Sequence, residues 1–227
     1  MNLRDRIERR LVPRTIVALS TIDGPRRLQA ALHRLRGGRG TVELFVAFDD
    51  AYSAIALVGL ADRLASRPVD LVVQPVVERG IPGDPAVAAK RRYAVTDAAR
   101  LAQRDGHELS RTEVVPVQEA AFLARWTAAA PDERSRTAFA VAAMRRLWFE
   151  QPSGAVEPDA YADLWRRIVG GDPPPADADV VTSERRMERR KLYDTPVAVV
   201  AGQWFFAHER LPQIAHRLDD LGWRAAA

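Results

Sequence analysis

Two adjacent carboxylates, Asp49 and Asp50, follow directly on an apolar run, and the hydroxyls of Tyr52 and Ser53 come within the next turn of chain. An ionised carboxylate only accepts hydrogen bonds, so Asp49 or Asp50 can act as a general base or as a polar anchor for a substrate. Tyr52 and Ser53 can donate to a sulfur or an oxyanion. A structural reading competes at each position. Asp50 stands where a helix N-cap belongs, and Tyr52 can simply pack at the helix start. Composition excludes other chemistries. The chain has no cysteine, which rules out disulfides, thiolate nucleophiles and Cys-ligated metals. His33, His107, His208 and His216 lack metal-ligand spacing, so no metal site is expected. The run Gly37-Gly38-Arg39-Gly40 lacks the Lys-Ser/Thr pair of a phosphate-binding loop, and it precedes a strand instead of following one.

The elements that must hold these residues follow from the hydropathy pattern. Residues 42–48 are almost continuously apolar, as in a strand buried on both faces of a sheet, and Ile55, Val58, Ala61 and Leu64 then recur at helical spacing. Ligands favour such a strand-to-helix junction, because free backbone N–H groups and the helix dipole face outward there. Residues 68–77 form a second β-rich run, which completes a βαβ unit with parallel strands. A Gly/Pro-rich loop over 79–85 opens a helical region, with helices expected over 86–104, 118–129, 132–150 and 159–169. A proline-extended linker covers 170–179, and a helix over 183–192 leads into a hairpin of residues 195–200 and 204–206. A last helix over 209–221 presents Leu211, Ile214, Ala215 and Leu218 on one face. Before all of this, residues 1–40 carry two helical patterns, over 2–11 and 24–35.

With 227 residues, 47% of them apolar, the chain can bury a sizeable core. The net charge is +4, and the cations are nearly all arginine, with only Lys90 and Lys191 as lysines. Arginine spread evenly through helices marks solvated faces and does not point to nucleic acid. No apolar stretch is long enough for a signal peptide or a membrane span, so a cytoplasmic protein without membrane partners is expected. The clusters Trp148-Phe149 and Trp204-Phe205-Phe206 read as core or dimer contacts.

Three stretches carry a resemblance. Residues 42–53 end in the turn Asp50-Ala51-Tyr52, Lys90 to Arg100 reads Lys-x-x-Tyr-x-x-x-Asp-x-x-Arg, and Asp194-Thr195-Pro196-Val197 runs through Gly202 to Ala207-His208-Glu209-Arg210-Leu211. In order and spacing they resemble the DsbA-like thioredoxin-fold superfamily. They are most similar to the branch of 2-hydroxychromene-2-carboxylate isomerases and kappa-class glutathione transferases. The resemblance implies an α/β protein, a thioredoxin-like fold (βαβ…ββα) interrupted by an all-helical insertion domain. Its expected parts are an N-terminal helical arm (1–40), a thioredoxin-like domain (41–80 and 181–227) and the insertion (81–180).

The same resemblance implies roles. Pro196 would be a cis-proline facing the active-site turn, with Thr195 and Val197 offering a backbone edge to a peptide-like cofactor. An ordinary trans-proline opening an edge strand is the alternative. His208, Glu209 and Arg210 would bind the γ-glutamyl end of glutathione or another low-molecular-weight thiol. Glu209 can equally be an acid favoured by a helix dipole, and Arg210 an internal salt-bridge partner. Lys90, Tyr93, Gln118 and Asp49 would line the substrate cleft, with exposed helix surface as the alternative for Lys90. The branch places Ser where Asp50 stands. A carboxylate there opposes a thiolate by like-charge repulsion, and as a cap it occupies the N–H groups a thiolate needs. The expected function is an isomerase or transferase using such a thiol on an aromatic or electrophilic small molecule, as a homodimer, with Asp50, Tyr52 and Ser53 as catalytic candidates. The alternative is a catalytically degraded module that keeps the cleft to bind a ligand or dock a partner.

Overall fold

Strand β1 (Gly40–Val46) is buried at every residue but Thr41, which explains its unbroken apolar sequence. In the computed structural model, which describes residues 24–81, 83–175 and 180–226, it is a central strand of a four-stranded sheet of order β2-β1-β3-β4. The helix expected over 2–11 lies outside the described residues. Strand β2 (Val69–Pro75) runs parallel to β1, pairing Leu44 with Val73, and helix α2 (Ala51–Leu64) makes the crossover. Strand β3 (Val197–Val200) is antiparallel to β1, with Leu44 opposite Ala198. A two-residue turn with positive φ at both Ala201 (47°) and Gly202 (79°) joins it to β4 (Gln203–Phe206).

Side chains alternate along β1. Val42, Leu44 and Val46 enter a large cluster with α2, while Phe45 joins Val197, Val199, Met187 and Leu192 on the other face. That second face is covered by helix α7 (Val181–Arg189), held by Glu43, whose carboxylate accepts from Arg186 at 2.9 Å and also pairs with Arg190. α7 begins and ends earlier than the sequence pattern predicted, and Lys191 beyond it has positive φ.

The helical insertion comprises α3 (Val87–Arg104), α4 (Val117–Ala129), α5 (Glu133–Met144) and α6 (Asp159–Ile168). It shares one core with the sheet: Leu123, Phe139, Met144 and Trp148 belong to the same cluster as Val42 and Leu57. The single helix predicted over 132–150 is corrected at its end, where Arg145–Glu150 forms a π-helical turn. The wider turn buries both Leu147 and Trp148. It also lets the indole N–H of Trp148 donate to the Phe48 carbonyl at 2.9 Å, just before the Asp49–Asp50 pair.

The last predicted helix is also shorter. Residues Ala207–Glu209 form a 3₁₀ turn, and α8 (Leu211–Asp220) starts only after Arg210 leaves helical geometry, with Pro212 in its first turn. Helix α1 (Gly24–Leu35) buries none of its residues and is tied to the body through Arg34, which donates to the Leu221 carbonyl and lies 5.4 Å from the Trp223 ring centre. Among the described residues no helix is long and apolar enough to cross a membrane.

Candidate functional site

Parallel pairing brings the C-terminal ends of β1 and β2 to one edge of the sheet, and the residues after both strands meet there. A cleft of about 350 Å³ opens between this edge, the start of α3 and the loop before β3. Asp50, Tyr52, Lys90, Tyr93 and Thr195, all named from sequence, line it together with Arg79, Arg91 and Asp194.

Asp50 is the N-cap of α2. Its carboxylate accepts from the backbone N–H of Tyr52 (3.2 Å) and Ser53 (3.1 Å), from the Ser53 hydroxyl (2.6 Å) and from the Thr195 hydroxyl (3.4 Å). The last contact joins two corners of the chain that are far apart in sequence, and the Thr195–Pro196 peptide beside it is cis. Burial pushes the Asp50 carboxyl above its usual range, against the pull of Arg79 and of the Ser53 hydrogen bond. Ser53 is fully buried. Its oxygen, besides donating to Asp50, accepts the Ala47 N–H at 3.2 Å. The Thr195 N–H donates to the Asp194 carboxylate at 2.9 Å. The Tyr52, Ser53 and Thr195 donors at this turn therefore already have partners within the protein.

Asp49 faces away from the cap. Its two oxygens accept from Arg79 Nη1 at 2.8 and 2.9 Å, and Arg91 Nη2 stands 3.8 Å away. Burial works against the Arg79 charge, but Asp50 and Asp49 more than offset it and hold the guanidinium firmly protonated. Arg79 escaped the sequence reading. The signal was available, since it follows β2 as Asp49 follows β1, and parallel neighbours end at the same edge.

Tyr52 donates its hydroxyl to Asp97 at 2.9 Å, and its ring stacks on His208 with centres 4.1 Å apart. Burial, and then the Asp97 hydrogen bond, push the phenol up, so it stays protonated. Burial pushes the His208 imidazole down, and its Nδ1 is buried without a hydrogen-bond partner. Lys90 is exposed and binds Asp84 at 2.5 Å, while Tyr93 is 59% exposed at the cleft mouth. The remaining named residues lie outside the lining: Val197 is buried in the sheet, and Gln118, Glu209 and Arg210 are exposed. Among the described residues no group of His, Asp and Glu gathers as a metal site requires.

No family model and no curated protein matches the sequence. Solved structures do match in fold. A selenomethionine structure of 2-hydroxychromene-2-carboxylate isomerase aligns over 80% of this chain and 96% of its own, with a TM-score of 0.61 at 14% identity. A probable DsbA oxidoreductase from Streptomyces coelicolor aligns over 83% of this chain and 93% of its own, with a TM-score of 0.57 at 16% identity. This is the DsbA-like thioredoxin fold. At such identities the likeness is one of architecture alone. Within that architecture, this chain is cysteine-free and carries a carboxylate as the cap of its first crossover helix.

Proposed function

We propose that the protein binds a small molecule with an aromatic or apolar body in the cleft between the turn and α3, and that its turn does not support thiol chemistry. One observation carries this reading. The Tyr52 and Ser53 N–H groups and the Ser53 hydroxyl all donate to the Asp50 carboxylate, and the Thr195 N–H donates to Asp194, so these four donors at the turn are already engaged. The apolar part of the lining, Ile81, Val87 and Ala94, together with Tyr93 and Tyr193, suits a flat hydrophobic ligand, and Arg91 offers a partly exposed cation for a polar end. Calorimetry of the full chain tests it. Saturable heat is expected from small aromatic carboxylates and lost in Tyr93→Ala. Saturable heat from reduced glutathione, with none from the aromatic acids, would overturn the reading.

A second reading, an isomerase or transferase that uses glutathione or another small thiol, draws support from His208. Its ring stacks on Tyr52, which lines the cleft, and its buried Nδ1 has no hydrogen-bond partner, so a shift of the Tyr52 ring would offer that nitrogen for hydrogen bonding or proton transfer. Thiol-dependent turnover of an aromatic electrophile, abolished in His208→Ala, would favour it over simple binding.

A further inference from the structure

Helix α1 carries its leucines on an open side. Leu28, Leu32 and Leu35 recur at i, i+4 and i+7 and share one face, yet they are 62%, 46% and 84% exposed. The residue that packs on the core is the small Ala30, which at 3.6 residues per turn stands about 160° round the helix from Leu28. A helix that served only to cover the body would turn these two faces the other way.

The charge around the leucine face has one sign. Residues 24–42 contain five arginines, Arg26, Arg27, Arg34, Arg36 and Arg39, and no carboxylate. Arg27 and Arg36 flank the stripe on either side, each about 80–100° from Leu28. Arg27 stands 3.8 Å from Asp220 and Arg39 binds Asp70, whereas Arg26 and Arg36 have no ion-pair partner among the described residues. Arginines alone would suit a nucleic acid, but a phosphodiester backbone makes no use of exposed leucines. A narrow apolar stripe between arginines fits a helix lying in the headgroup plane of a bilayer, its leucines at the acyl boundary and its guanidinium groups at the phosphates. Leu28 and Leu32 also edge a hollow lined by Leu218, Leu221 and Trp223, which leaves an acyl chain room beside the helix. Such a helix needs no spanning segment, and none is found among the described residues. We propose that α1 docks the protein on an anionic phospholipid surface.

Cosedimentation of the full chain with lipid vesicles tests this. Binding is expected to vesicles of mixed phosphatidylglycerol and phosphatidylcholine. It should be at least about tenfold weaker on phosphatidylcholine alone, and it should weaken with salt. Leu28→Ser with Leu32→Ser should abolish binding without moving the urea midpoint, because both side chains are already exposed. Arg26→Gln with Arg36→Gln should weaken it at least about tenfold. An unaltered chain that stays in the supernatant would overturn the proposal, as would vesicle binding that survives the loss of both leucines. Self-association in place of vesicle binding, lost with the same two leucines, would overturn it in favour of a second copy on this face. A double-stranded oligonucleotide that displaces the vesicles and binds the leucine variant equally well would overturn it in favour of nucleic acid.

Discussion

Asp50 decides what the turn can do. A serine in its place would be free to donate outward, whereas the carboxylate draws the surrounding donors onto itself and away from the cleft. Its raised pKa has a stability consequence. A carboxyl that binds its proton more tightly in the folded state contributes fully below the ordinary 3.8, and that contribution is lost as pH rises through the raised value. Stability relative to Asp50→Asn should therefore fall as pH rises from about 4 toward neutrality, read by urea denaturation across that range. Arg79 carries a larger load, because it is the cation facing two buried carboxylates. Arg79→Ala should cost about 3–5 kcal/mol, the usual penalty for leaving buried charge unpaired. Replacing the pair together, as Arg79→Met with Asp49→Leu, should recover most of that loss in the same denaturation assay.

At the level of elements, the periodic segments were legible and their junctions were not. The apolar run of β1 and the spacing of Ile55 and Val58 announced a parallel βαβ unit, because hydrophobic period reports directly on which face is buried. The π turn at Arg145–Glu150 had no such signal: it depends on where Trp148 finds an acceptor, a tertiary fact. The same holds for His208, which the sequence tied to a ligand but which the fold stacks on Tyr52. Arg79 was missed because loops carry no period, although strand order alone places it beside Asp49.

Helix α7 offers a contrast in energetics. Glu43 is buried as Asp49 is, but its partners Arg186 and Arg190 are 40% and 41% exposed and can return to water. Glu43→Ala should therefore cost only about 1 kcal/mol, far less than Arg79→Ala. Its effect should be local, seen as faster hydrogen exchange along α7 with little change in β1.

On the scale of the whole molecule, the sheet, the crossover helix and the inserted helices form one continuous core, which holds the helical walls of the cleft, while Arg79–Ile81 and Tyr193–Thr195 close it from two loops. The most direct measurement follows the backbone amides of Tyr52, Ser53 and Thr195 by nuclear magnetic resonance while reduced glutathione is titrated into the unaltered protein and into Asp50→Ser. The three signals should stay in place in the former and shift saturably in the latter. Saturable shifts at those amides with Asp50 present would contradict the claim that this carboxylate has closed the turn to thiols.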